Sequence, residues 1–174
     1  MKLDTITKTK LTTKLISTSF NQLLEKDIES VLLIERLSSN NPWTRTQLLE
    51  SIKNPVNLNY SLIYKSEIIG YLIAMPVIES ADILNIAINS NYQRKGFGKA
   101  LLEHLVQALN KSGVSEVLLE VRQSNFSAIK FYLALGFKEI SVRKNYYTKN
   151  SNDPSAVSYT HLRAHETLMN LVCR

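Results

Sequence analysis

The sequence predicts a mixed α+β fold on one sheet, and three observations carry that prediction. Apolar residues at helical spacing fill the stretch from Asn21 to Ile52. Runs rich in β-branched and aromatic residues follow with no helix between them. Beyond Ile88, strand and helix patterns then alternate as far as Val142. Helices, an antiparallel meander and then β-α-β-α-β describe a mixed sheet, not a doubly wound parallel one.

The elements follow in order. Lys14 to Phe20 suits a short edge strand after a polar lead-in. From Asn21 the pattern is helical, with Leu24, Ile28, Val31 and Leu32 at the spacings of three and four that a core-facing stripe requires. Pro42-Trp43 interrupts it, and Thr44 caps a second helix through Leu48, Leu49 and Ile52. Tyr60–Tyr64 and Ile68–Ile78, separated by Lys65-Ser66-Glu67, read as a hairpin. Ile83–Ile88 is another strand. The polar loop from Asn89 to Gly98 precedes a helix over Lys99–Lys111, with Leu101, Leu102, Leu105 and Leu109 on one side and Gly113 at its end. Val114–Val121 is a strand, Ser124–Leu135 a helix closed by Gly136, and Phe137–Val142 a further strand.

At 174 residues the chain suits one buried core. With 44% hydrophobic and 21% charged residues it belongs to neither the disordered nor the fibrous classes. The net charge of +6 suits an anionic partner, whether nucleic acid, ribosome or phosphate-bearing cofactor, but no long basic run selects among them. The single cysteine, Cys173, cannot pair within the chain, which favours a reducing compartment. Residues 1–14 are a Thr/Lys mixture with no apolar stretch, so no signal peptide is expected. The longest apolar run, Ile68–Ile78, falls short of the ~20 residues of a membrane span. The expected location is the cytoplasm.

Chemistry concentrates in Gln93-Arg94-Lys95-Gly96-Phe97-Gly98-Lys99-Ala100, between a strand and a helix. Two glycines two apart let backbone N–H groups point into a common hollow, and the helix start adds its positive dipole end. Both favour a phosphate or pyrophosphate, and Arg94, Lys95 and Lys99 add charge. A Walker loop is excluded because Ala100 follows Lys99 where a serine or threonine is needed. A dinucleotide fingerprint needs a small residue where Leu101 stands, and it opens a first βαβ unit instead of following a meander. For an isolated G-x-G, a solvated turn remains the alternative.

A family resemblance weighs against that alternative. Asn85-Ile86-Ala87-Ile88, the Gln93–Gly98 loop, Leu119-Glu120-Val121-Arg122, Ser124-Asn125, Phe131-Tyr132, Gly136-Phe137 and Arg143-Lys144-Asn145-Tyr146-Tyr147 occur in that order. Together they resemble the GNAT acetyltransferases, and within them the RimI-type ribosomal-protein-alanine N-acetyltransferases. The similarity covers about residues 20–148. It implies a GNAT acyl-CoA acyltransferase fold: a splayed, mixed, mostly antiparallel sheet flanked by helices, with acetyl-CoA as cosubstrate and no metal.

The resemblance also implies site roles. Ile86, Ala87 and Ile88 would face the acetyl and pantetheine arm. Arg94, Lys95, Gly96, Phe97, Gly98 and Lys99 would hold the pyrophosphate, and Asn125 would contact the cofactor. Glu120 would be the general base and Tyr132 the general acid. Pro42, Trp43, Tyr146 and Tyr147 would border the acceptor groove. The implied partner is a protein N-terminus, of a small-subunit ribosomal protein, with no direct nucleic-acid or membrane contact.

The chemistry is independently sound. An α-amine with a pKa of ~8 is largely protonated at neutral pH and must lose a proton before it attacks a thioester. A carboxylate can take that proton, and a phenol can supply one to the departing thiolate. Direct attack needs no nucleophilic serine or cysteine. Spacing alone leaves other readings open. Glu120 suits a solvent face beside Arg122, Tyr132 a core position, Asn125 a helix cap and Tyr146-Tyr147 a strand covering the core. Pro42-Trp43 is equally a helix-breaking proline before a half-buried tryptophan. The histidines give no metal pattern: His161 and His165 are four apart, but no third ligand accompanies them, and His104 stands alone. Two other functions are compatible, a GNAT enzyme for a lysine side chain, polyamine or antibiotic, and a catalytically silent CoA-binding module.

Residues 1–157 are therefore expected to form one GNAT domain. The family's last strand would begin near Asp153–Val157, whereas Ser158 to Arg174 shows neither alternation nor family character. That stretch is expected to be an atypical, non-native tail without a core element.

Overall fold

A computed structural model of the chain describes residues 18–143 and 156–162. The strands are β1 (Thr18–Gln22), β2 (Leu58–Tyr64), β3 (Glu67–Val77), β4 (Ser80–Ile88), β5 (Glu116–Arg122), β6 (Lys138–Arg143) and β7 (Ala156–Leu162). The helices are α1 (Ile28–Ser38), α2 (Arg45–Lys53), α3 (Phe97–Lys111) and α4 (Phe126–Ala134). One seven-stranded sheet has the hydrogen-bonded order β1-β2-β3-β4-β5-β7-β6. β4 and β5 run parallel, while β1–β2, β5–β7 and β6–β7 are antiparallel, so the expected mixed sheet is present. Among the described residues no helix is long and apolar enough to cross a membrane.

The chain builds two compact units. The first contains the residues up to Asn54 with Asn59–Leu72 and Ala87–Leu101; the second contains Pro55–Leu58, Ile73–Ile86 and the chain from Leu102.

In the first unit, β1 lies antiparallel to β2, from Thr18↔Tyr64 to Gln22↔Tyr60. The helix expected from Asn21 starts later. The Leu24 N–H donates to Asp27 Oδ2 at 3.0 Å, which closes a 3-10 turn over Glu25–Asp27 before α1 begins. Leu24 is consequently exposed, and the buried stripe of α1 is Ile28, Val31, Leu32, Ile34 and Glu35. Thr44 caps α2 as expected: its hydroxyl accepts from Gln47 N, and Gln47 Oε1 accepts from Thr44 N at 2.9 Å. Leu48 and Ile52 turn inward. At Gly70, a Cβ would stand 2.4 Å from Ile88 Cδ1 and 3.0 Å from the Ala87 carbonyl oxygen, so β3 lies close against the end of β4.

In the second unit, β3 turns directly into β4 through Ile78 and Glu79, and the sequence had placed no strand over residues 80–82. No glycine or asparagine marks that turn. Ile78 itself takes φ +46°, a strained value for a β-branched residue, with its side chain almost fully exposed. β5 buries Val117, Leu119 and Val121 on one face.

The tail requires a correction. Ala156–Leu162 is a full strand lying between β5 and β6, in register from Glu116↔Leu162 to Arg122↔Ala156. Tyr159 is only 2% exposed. Residues 158–162 are therefore sheet, although no alternation was read there from the sequence. A strand paired on both edges draws its place from main-chain bonds, which do not depend on that pattern. Residues 163–174, Cys173 included, lie outside the described residues.

This placement fixes an expected outcome for truncation. A stop after Val157 removes most of β7, and burial of the Tyr159 ring alone contributes about 2–3 kcal/mol. The melting temperature should fall by about 10 °C or more, measured by calorimetry. An unchanged melting temperature would contradict the β5–β7 pairing.

Candidate functional site

In the first unit, the loop after β4 is shaped by its own side chains. Asn89 is 5% exposed; its N–H donates to Ile69 O at 2.8 Å and its Oδ1 accepts from Asn91 N at 3.1 Å. Gln93 Nε2 donates back to Ile88 O at 2.9 Å, tying the loop to the strand it leaves. Arg94 has φ +56° and Gly96 φ +86°. Left-handed residues alternating with right-handed ones turn successive N–H groups to one side, which is how a backbone nest for an anion forms. Gly98 needs no such conformation, being the second residue of α3, so the conformational demand expected of both glycines rests on Gly96.

Phe97 opens α3 and anchors it. It is 1% exposed, with its ring centroid 5.2 Å from that of Tyr64 and 6.3 Å from that of Tyr92. The Tyr92 hydroxyl donates to Glu67 Oε2 at 2.9 Å. Phe97 therefore fixes the helix start. The first-turn amides of α3 lack helical partners by geometry, and the dipole end favours an anion there. Lys95 Nζ donates to Asn91 O at 2.6 Å and lies 5.5 Å from the centre of the Tyr92 ring, so one of the three cations is already held against the loop. Arg94 is exposed and Lys99 half-buried.

In the second unit, the parallel pairing of β4 with β5 runs from Ser80↔Glu116 to Ile83↔Leu119. Both strands continue further, β4 to Ile88 and β5 to Arg122. At the same point β4 loses its alternation: Ala81 and Ile83 are buried, then Leu84, Asn85, Ile86 and Ala87 are all half-buried. Glu120 is half-buried on β5 just past the last pair, opposite Ser158 of β7 on the other edge.

After β5, Asn125 caps α4, its Oδ1 accepting from Ala128 N at 3.1 Å. The capping reading is thus correct for its oxygen; the exposed side chain retains its amide nitrogen for any other contact. Tyr132 is 7% exposed, its ring set between Phe131 and Phe137 at centroid distances of 5.2 and 5.4 Å. Among the described residues no side chain or backbone group is hydrogen-bonded to its hydroxyl.

Pro42 is exposed and Trp43 half-buried in the link between α1 and α2. Trp43 N–H donates to Glu35 Oε2 at 2.7 Å, and the Tyr71 hydroxyl donates to Glu35 Oε1. Sequence reasoning passed over both Glu35 and Tyr71. Glu35 falls four residues after Val31 and three after Leu32, a spacing that places it on the buried stripe. Tyr146 and Tyr147 lie outside the described residues. The structure thus gathers Pro42, Trp43, Ala87, Ile88 and Arg94–Lys99 into the first unit, and Ile86, Glu120, Asn125 and Tyr132 into the second. No group of three or more His, Cys, Asp or Glu side chains suited to a metal occurs among the described residues.

Comparison with known proteins gives consistent findings. Residues 18–137 match the acetyltransferase (GNAT) family. A protein of Escherichia coli K12, "[ribosomal protein bS18]-alanine N-acetyltransferase", is 35% identical over 80% of this chain and 93% of its own length. Its namesake from Haemophilus influenzae is 40% identical over 75% of this chain and 88% of its own. The crystal structure of the ribosomal-protein-S18-alanine N-acetyltransferase from Escherichia coli superposes with a TM-score of 0.77 at 33% identity, covering 84% of this chain and 94% of that one.

The buried phenols predict a pH response of the fold. Burial holds Tyr132 well above the ordinary tyrosine pKa, and burial, the Glu35 charge and the Glu35 hydrogen bond do the same for Tyr71. Raised folded values mean that this stability is complete below the unfolded value of ~10 and is lost as pH rises past it. Stability should fall above pH ~10 by on the order of 1 kcal/mol per pH unit for each tyrosine. Denaturant titrations between pH ~9 and ~11 should show a shallower fall in Tyr132→Phe and in Tyr71→Phe; an unchanged slope would refute the burial of that phenol.

Proposed function

The chain belongs to the acetyltransferase (GNAT) family, and on that premise we propose that it transfers acetyl from acetyl-CoA to the α-amine of an N-terminal alanine, in a small-subunit ribosomal protein of the bS18 type. The observation carrying this reading is the 35% and 40% identity, over most of the chain, to two alanine N-acetyltransferases of that specificity. The partner in this reading is a protein N-terminus. The reaction calls for no direct contact with nucleic acid or membrane, and its proposed compartment is the cytoplasm.

The residues present fit such a substrate. The nest around Arg94 and Gly96, with Lys95 and Lys99 beside it, suits a pyrophosphate. Ile86, Ala87 and Ile88 end a strand that has left its parallel neighbour, which suits a pantetheine arm taking up strand-like main-chain bonds. Asn125 has an amide nitrogen to offer while its oxygen caps α4. Pro42 and Trp43, with Tyr146 and Tyr147, are assigned to the acceptor groove.

When bound, acetyl-CoA supplies the thioester whose carbonyl carbon accepts the amine. Glu120 removes the proton from the incoming ammonium, directly or through water, so that nitrogen can attack. As the N–C bond forms, the C–S bond breaks, and Tyr132 donates its proton or a strong hydrogen bond to the departing sulfur. The raised pKa of Tyr132 keeps that proton in place throughout the neutral range. The nitrogen's second proton passes to solvent, and proton exchange with water resets both groups.

Incubation with labelled acetyl-CoA and peptides starting with alanine, read by mass spectrometry, tests the reaction: label should appear on the α-amine and vanish when that amine is blocked. Label on lysine side chains alone would refute it. Gly96→Val, which forces a branched residue into φ +86°, should weaken acetyl-CoA binding roughly tenfold or more in a folded protein, measured calorimetrically. Equal affinity would remove the loop from the site. Glu120→Gln should lower turnover by ~10² to 10⁴ at neutral pH, with partial recovery at alkaline pH, where the amine arrives unprotonated. The Tyr132→Phe loss should persist there, because the thiolate still lacks its donor. Near-normal turnover by both variants would overturn the acid–base assignment.

A further inference from the structure

The mechanism leaves one buried acid unused. Glu35 is 2% exposed in α1, on the same stripe as Ile28, Val31 and Leu32. A carboxylate there is costly to desolvate, and an apolar residue would complete the stripe more cheaply. Both of its oxygens accept hydrogen bonds within the first unit: Oε1 from the Tyr71 hydroxyl, and Oε2 from Trp43 N–H at 2.7 Å. Tyr71 is itself fully buried on β3, so the carboxylate is braced against the sheet.

What the carboxylate grips is a short link. α1 ends at Ser38 and α2 begins at Arg45, and Asn40, Asn41 and Pro42 between them are exposed. Pro42 has no N–H to anchor, so Trp43 supplies the first amide after the proline, immediately before the Thr44 cap. A hydrogen bond to a buried charge is stronger and shorter than one to a neutral group, and it fixes direction as well as position.

We propose that Glu35, braced by Tyr71, is a positioning residue for the acceptor: it holds the Trp43 backbone so that Pro42 and Trp43 present one fixed wall to the incoming N-terminus. The proposal rests on the assignment of Pro42-Trp43 to the acceptor groove. It concerns how that wall is held, not the acetyl donor. Its signature is therefore a split, with peptide KM moving and acetyl-CoA affinity standing still.

The test measures three quantities on the full chain: Trp43 amide hydrogen exchange without ligand, KM and kcat for an alanine-starting peptide, and Kd for acetyl-CoA. Glu35→Ala should speed Trp43 exchange and raise peptide KM by about tenfold, the loss of one charge-assisted bond, with Kd for acetyl-CoA within about twofold of wild type. Glu35→Gln should rescue both, because its amide oxygen can accept from Trp43 while its amide nitrogen donates to the Tyr71 oxygen. If Glu35→Ala does not fold, the double substitution Glu35→Leu with Tyr71→Phe removes the carboxylate and its hydroxyl partner together and should show the same split. Unchanged Trp43 exchange in a folded variant would overturn the anchor. Faster exchange with unchanged peptide KM would overturn its link to the acceptor. Wild-type turnover of the peptide is measured first; its absence would sink the activity assignment and the acceptor role with it, whereas the exchange data stand apart from that failure.

Discussion

The feature on which the proposed chemistry depends is the parting of β4 from β5. Their parallel ladder ends at Ile83↔Leu119, yet each strand runs on. Main-chain groups in a sheet interior must be paired with something, and strands that part leave that need to a different partner. The geometry would be unstable if β5 were also loose on its other edge. It is not, because β7 pairs with β5 over the whole of Glu116–Arg122 and β6 backs β7 in turn. The carboxylate proposed as base therefore sits on a strand held firmly on one side and open on the other.

A second layer of constraint lies in how the loop proposed to hold the pyrophosphate is fastened. Asn89 and Gln93 tie its two ends to β3 and β4 through main-chain partners, while Phe97 drives the start of α3 into the aromatic group with Tyr64 and Tyr92. Such a loop has few conformations to lose when an anion arrives, which is where preorganisation improves affinity. Lys95 is restrained by Asn91 and the Tyr92 ring, so its charge is delivered at a set position and not from a flexible stem.

Much of this was legible in the residues. The period change after residue 58, the capping by Thr44 and the strand–loop–helix around Gly96 all follow from local physics, since spacing, caps and positive φ each act within a few residues. What escaped depended on tertiary context. The start of β4 was hidden because an isoleucine, Ile78, adopts a turn conformation that sequence rules reserve for glycine and asparagine. β7 was hidden because a strand with both edges paired needs no surface alternation. Glu35 was passed over because a glutamate normally marks the solvated face of a helix. Its offsets from Val31 and Leu32 nevertheless put it inside, and Tyr71 and Trp43 explain how it is tolerated there. At Asn125 the structural and functional readings are not rivals: its oxygen caps α4, and its amide nitrogen is left over for the contact proposed.

The most direct measurement is hydrogen–deuterium exchange of the main chain with and without acetyl-CoA. If the parted strand and the nest receive that substrate, amides of Leu84–Ile88 and of Gly96–Lys99 should become protected, with those of β1 and β2 unchanged. Saturating acetyl-CoA that protects neither stretch, or protects only residues elsewhere, would contradict the account.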